Sequence, residues 1–163
     1  MLETLSLRHC ATAVLAIDAT AILGAWIFEY FGFAPCELCL KQRWAYYVAI
    51  PVGFVLAAVA PSSPGLARVG LQILGVLWLA SMVFGIYHSG VEWKWWPGPD
   101  TCTGTGGLTG GLPDLTKPVV MCDQAAIRIL GLSLAGWNAV ISLAAAVLCF
   151  AGGRVHGSSS VSQ

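Results

Sequence analysis

The sequence predicts an all-α membrane protein: a bundle of four transmembrane helices with a long extracytoplasmic loop between the third and fourth. Three observations carry this. Charged residues make up 10% of the chain, where soluble domains carry about 25%. Hydrophobic residues reach 57%, and mean hydropathy is +0.77. Four apolar runs are long enough to cross a bilayer, which takes roughly 20 helical residues or slightly fewer. The runs must satisfy their own backbone hydrogen bonds in lipid, and they lack the alternation of a barrel strand, so helices are expected. The net charge of zero argues against a broad nucleic-acid-binding surface.

The first run spans 11–28. Arg8 precedes it as in a signal peptide, but the run outlasts the roughly 7–15 residues of an h-region, so it reads as a retained span. The second run covers 43–60. Pro35 suits a first helical turn, so this helix is expected to begin near residue 35. Pro61-Ser62-Ser63-Pro64-Gly65 then links it tightly to a third run at 69–87, which makes the two helices antiparallel neighbours. The fourth run is 129–150. Residues 1–153 read as one four-span domain and 154–163 as a Ser-rich, disordered cytoplasmic tail.

The loop from Ser89 to Arg128 is rich in Gly and Pro, including Gly104, Gly106, Gly107, Pro113 and Pro118. A loop of that length is functional or disordered. Trp93, Trp95 and Trp96 point to a path along the membrane interface.

Parity places the chemistry. Cys36 and Cys39 follow span one, and Cys102 and Cys122 follow span three, so all four thiols share one side. Disulfides persist outside the cytoplasm, which sets that side as extracytoplasmic and both termini as cytoplasmic. The charge count opposes this orientation. Arg8, Arg68 and Arg154 would lie inside, against Lys41, Arg43, Lys94, Lys117 and Arg128 outside.

In Pro35-Cys36-Glu37-Leu38-Cys39-Leu40-Lys41-Gln42-Arg43, helical geometry puts Cys36 and Cys39 on one side of the first turn and Arg43 one turn below Cys39. A helix N-terminus and a nearby cation both favour thiolate. Arg43 at the hydrocarbon edge needs a partner, such as a polar head group or a thiolate. The pair is either redox-active or a structural disulfide with Arg43 reaching to the interface. Cys102 and Cys122, if bonded, either present an exposed, exchangeable disulfide on a mobile loop or staple that loop.

His88, at the outer end of span three, lies at the membrane level of Arg43 and suits a hydrogen bond to a carbonyl ligand or a proton shuttle. A zinc site on Cys36, Cys39 and His88 fits by ligand type but leaves the second pair unexplained, so no metal is expected. Cys10 and Cys149, at the other end, read as small buried hydrophobes. Asp18 is a mid-span carboxyl for which a structural role is favoured, and Asn138 reads as helix–helix glue.

The ordered set of motifs resembles the DsbB family of bacterial disulfide bond formation proteins over about residues 11–150. It comprises Cys36-Glu37-Leu38-Cys39 with Arg43, Trp96-Pro97-Gly98-Pro99 leading to Cys102, Cys122, and Leu130-Gly131-Leu132-Ser133-Leu134-Ala135-Gly136-Trp137. The resemblance implies a thiol oxidase of the inner membrane. The Cys102–Cys122 disulfide would oxidise a DsbA-like periplasmic thioredoxin-fold partner, with Cys102 taking the mixed disulfide. Electrons would pass to Cys36–Cys39 and from Cys39 to membrane quinone, ubiquinone or else menaquinone. Arg43, and with it His88, would bind the quinone. The loop here is shorter and richer in glycine than in some family members. Two other readings are a quinone reductase like vitamin K epoxide reductase, disfavoured because its CxxC lies in a late helix, and a non-enzymatic membrane subunit braced by disulfides.

Overall fold

The computed structural model describes residues 2–99, 102 and 120–154, with side chains from residue 7 onward. Its helices are α1 (Leu2–Tyr30), α2 (Glu37–Val59), α3 (Pro64–Glu92) and α4 (Leu134–Arg154). All four are long and apolar enough to cross a membrane. A two-stranded antiparallel hairpin, β1 (Arg128–Ile129) and β2 (Leu132–Ser133), precedes α4.

α1 and α3 extend past the apolar runs expected at 11–28 and 69–87, so that Ser89–Glu92 are helical rather than loop, and two further boundaries differ from expectation. The apolar stretch from Ile129 does not open the fourth helix. Leu130 (φ 52°) and Gly131 (φ 84°) form a two-residue turn with both residues left-handed, which matches the twist of a hairpin and cannot continue a helix. Trp137 in α4 pins the hairpin by donating from its indole Nε1 to the Ile129 carbonyl, 2.9 Å away. At the other end α4 runs through Arg154; residues 155–163, and with them most of the expected tail, lie outside the described residues. The second boundary is at the start of α2. Cys36, not Pro35, is the residue that caps this helix, which begins at Glu37.

The helices end in defined ways. After α1, Gly32 (φ 93°) takes the left-handed position, and the Phe33 and Gly32 amides bond back to the Phe28 and Glu29 carbonyls. After α3, Lys94 (φ 61°) does the same, with Trp95 and Lys94 bonding to Gly90 and Val91. Both ends thereby satisfy carbonyls that would otherwise face lipid unpaired.

The bundle core is built from small, aliphatic and aromatic residues: Val14, Ala49, Leu71 and Trp78 are buried, with Ala145 and Cys149 from α4. Small residues let backbones approach closely. A Cβ at Gly85 would meet the Ala139 backbone at 3.0 Å, and one at Gly152 would meet Cys10. Polar side chains bridge helices inside the core. Tyr46 donates to Asn138 Oδ1 at 2.7 Å, and Ser142 to Ser81 at 3.0 Å. Asn138 is thus the expected link between helices, here α2 and α4.

Candidate functional site: two cysteine pairs above an apolar cavity

Cys36 caps α2 with its own sulfur. Sγ accepts a hydrogen bond from the Cys39 amide at 3.2 Å and lies 2.7 Å from Cys39 Sγ. The helix start therefore fixes both thiols on one turn. From α3, His88 approaches the same sulfur, with Nε2 3.5 Å from Cys36 Sγ. His88 is 1% exposed, and its Nδ1 has no partner among the described residues. The adjacent Cys39 thiol, hydrogen-bonded to Cys36, and then His88 together push the Cys36 pKa down to about 5 against the opposing effect of burial. Glu92, one turn beyond His88, brings Oε1 to 3.8 Å from Nε2.

Cys102 and Cys122 are bonded, with Cα atoms 5.3 Å apart, and the Cys122 amide donates to the Cys102 carbonyl. This disulfide is not the exposed feature expected from a glycine-rich loop. Cys102 is 4% exposed and Cys122 0%. The reason is packing: the two cysteines share one buried cluster with Cys36 and Leu38, against which Cys39, Phe84, Tyr87 and Val120 pack. The two pairs therefore share one buried cluster. The intervening residues 103–119 lie outside the described residues.

The chain entering this cluster is held by aromatic residues. Trp96 stacks on Tyr87 (centroids 6.2 Å apart, planes at 5°) and donates to the Tyr87 carbonyl at 2.8 Å. Lys94 pairs with Asp123, and Arg128 sits 4.2 Å over the Trp93 ring. These contacts tie the end of α3 to the segment that carries Cys122.

Beneath the thiols lies a cavity of about 290 Å³ among α1, α2 and α4. Its walls are mostly apolar, with Ile22, Phe28, Leu134 and Ile141 among them, and its polar rim includes Cys39, Gln42, Arg43 and Asn138. Cys39 lines the cavity; Cys36 and His88 do not. Arg43 finds its partner in a residue the sequence reading did not name. Its Nη1 donates to Glu29 Oε2 at 2.6 Å and its Nη2 to the Ala25 carbonyl at 3.5 Å. The partner is a carboxylate, not a thiolate.

The family model described as disulfide bond formation protein DsbB matches residues 7–152. The chain belongs to the DsbB family. Disulfide bond formation protein B of Azoarcus sp. is 27% identical over 86% of this chain and 89% of its own. Disulfide bond formation protein B 2 of Pseudomonas aeruginosa is 31% identical over 72% of this chain and 70% of its own. An uncharacterized protein of Rickettsia prowazekii is 26% identical over 80% of this chain and 78% of its own. No solved structure matches the chain. DsbB membership, with four membrane-capable helices, makes this a multi-pass membrane protein of disulfide bond formation.

Three further residues border the cluster and the cavity: Glu29, Gln42 and Glu92. For Glu29 the sequence gives only the need, a counter-charge for Arg43 at the level shared by the end of span one and the start of span two; that Glu29 meets it depends on how α1 and α2 cross. Gln42, three residues after Cys39, and Glu92, four after His88, stand at helical spacing from a named candidate, but only the fold shows that those faces turn inward. Asp18 is fully buried, and neither carboxylate oxygen has a hydrogen-bond partner among the described residues.

Proposed function

We propose that this protein is an inner-membrane thiol oxidase that reoxidises a DsbA-like periplasmic dithiol and delivers the electrons to membrane quinone. The observation that carries the reading is a single arrangement: two cysteine pairs in one buried cluster, one of whose thiols, Cys39, also faces an apolar cavity.

The cavity suits a quinone head group on its own chemistry. Gln42 Nε2 and Asn138 Nδ2 are buried donors without partners among the described residues, and both residues line the cavity. A buried amide donor left unpaired costs about 1–3 kcal/mol, so a ligand bearing carbonyl acceptors would relieve it. Arg43, its charge partly balanced by Glu29, adds further N–H donors to the lining, where negative charge developing on a ligand oxygen would be stabilised. Bound there, a quinone supplies a two-electron acceptor.

The residues then divide the work. A partner dithiolate attacks the Cys102–Cys122 disulfide, with Cys102 forming the mixed bond and Cys122 leaving as thiolate. The second partner thiol resolves that bond and departs oxidised, which leaves Cys102 and Cys122 reduced. Their exchange with a Cys36–Cys39 disulfide restores the outer bond and reduces the inner pair. His88 and the helix N-terminus hold Cys36 as a good leaving thiolate in that exchange. Cys39 completes the path at the cavity wall. Since the outer disulfide is buried, attack on it requires local opening of the loop.

The test is quinone absorbance in a mixture of purified protein, quinone and a reduced DsbA-like dithiol. Steady quinone loss is expected, and Cys39→Ser should abolish it. An unchanged rate in that variant defeats the relay. Arg43→Ala should cut quinone turnover on the order of 10²-fold, as loss of an oxyanion donor does. Its partner affinity should be unchanged, and equal loss of both would make Arg43 structural.

A further inference from the structure

We propose that the reduced Cys36–Cys39 pair and His88 form a binding site for a thiophilic divalent cation, Zn2+ first among them, and that a bound ion holds the pair out of its disulfide. Among the described residues these three donors form a cluster whose ligand atoms all lie within 4.8 Å of one another. In a tetrahedral zinc site, bonds of about 2.3 Å to sulfur and about 2.0–2.1 Å to nitrogen put neighbouring ligand atoms roughly 3.5–3.8 Å apart. Cys36 Sγ and His88 Nε2, 3.5 Å apart, already have that spacing. The two sulfurs, at 2.7 Å, need to part by about 1 Å, a rotation of the Cys39 side chain within one helical turn.

The donor set also selects the ion. Two thiolates and an imidazole are soft-to-borderline ligands that favour zinc over calcium or magnesium. Two negative sulfurs and a neutral ring cancel a 2+ charge, so the loaded site is neutral. That matters here, because Cys36 is 5% exposed and His88 1%, and an uncompensated charge in such a place is costly. Three protein ligands leave one corner for water. Glu92, with Oε1 3.8 Å from His88 Nε2, is a carboxylate close to the same ring nitrogen.

Binding is not a redox step. Each thiol releases a proton as its sulfur takes the ion, and no electron moves. The consequence is exclusion: sulfur lone pairs held by metal do not close a disulfide, so the ion acts as a brake on the inner pair in its reduced state. The readout below uses no quinone and no thiol partner, so it stands or falls separately from the thiol oxidase reading.

Full-length protein carrying Cys102→Ser and Cys122→Ser, reduced and kept anaerobic in detergent, is titrated with Co2+. One equivalent should bind, giving near-ultraviolet thiolate charge-transfer absorption and visible bands that Zn2+ bleaches. Reoxidised protein should give none. His88→Ala should weaken Co2+ binding at least about tenfold, the scale seen when the support of a metal site is removed. Zinc K-edge absorption of the unmutated reduced chain provides a check that does not depend on the variants folding, with two sulfurs and light-atom ligands expected. Absence of the cobalt bands, equal affinity in His88→Ala, or a four-sulfur shell overturns the site.

Discussion

Cys36 is where the local chemistry is most concentrated. It caps a helix with its sulfur, touches Cys39 and His88, and is held as thiolate down to about pH 5. The lowered value has a definite sign. Reactivity that needs thiolate should persist from neutral pH down and be lost only as pH falls through about 5, whereas a free thiol loses it below about 8.5. Iodoacetamide labelling of the reduced protein, with chelator present and the Cys36 peptide read by mass spectrometry, should show that profile. His88→Ala should move the midpoint upward, and a midpoint near that of free cysteine in the unmutated chain would remove His88 from the thiolate's support. The identity of this residue was legible in its spacing, because CxxC at a helix start needs no tertiary information. The partners were not. That Arg43 needs a counter-charge follows from its place at the hydrocarbon edge, but the choice of Glu29 follows from how α1 and α2 cross.

At the scale of elements, the helices were legible because apolar length is a property of sequence alone. The hairpin was not. Ile129-Leu130-Gly131-Leu132 is as apolar as the span it precedes, and only two left-handed residues separate it from a helix start. Burial of the Cys102–Cys122 disulfide was equally hidden, since glycine content describes the loop and not what it packs against. One contact shows how the end of α3 controls that packing. A Cβ at Gly90 would overlap the Trp96 indole, which is fixed by its stack on Tyr87 and its bond to the Tyr87 carbonyl. Gly90→Val should therefore expel Trp96 and destabilise the fold by about 1–3 kcal/mol, the usual cost of overpacking. Denaturant titration in detergent, followed by tryptophan fluorescence, measures it. The same variant should label Cys102 and Cys122 faster after mild reduction. Unaltered stability and labelling would show that Trp96 does not hold the loop down.

The whole molecule raises the question of which end faces the periplasm. More cations lie at the cysteine end than at the other, against the usual bias. The fold accounts for the described ones individually. Lys41 pairs with Glu37 at 2.7 Å, Arg43 with Glu29, Lys94 with Asp123, and Arg128 covers Trp93. Their number therefore reflects the structure of the thiol end, and the redox requirement of the cysteines is the stronger guide to orientation. Ser62, in the exposed link between α2 and α3, and Trp95, 68% exposed beyond α3, report on opposite ends. In cells with a permeabilised outer membrane, a membrane-impermeant maleimide should label Trp95→Cys directly and Ser62→Cys only after lysis. The parent chain, whose Cys10, Cys36, Cys39 and Cys149 are buried or half-buried, should show little background in either condition. The reverse pattern would put all four cysteines of the buried cluster in the reducing cytoplasm. The Cys102–Cys122 disulfide would not persist there, and the thiol oxidase reading would fall even with every local contact intact.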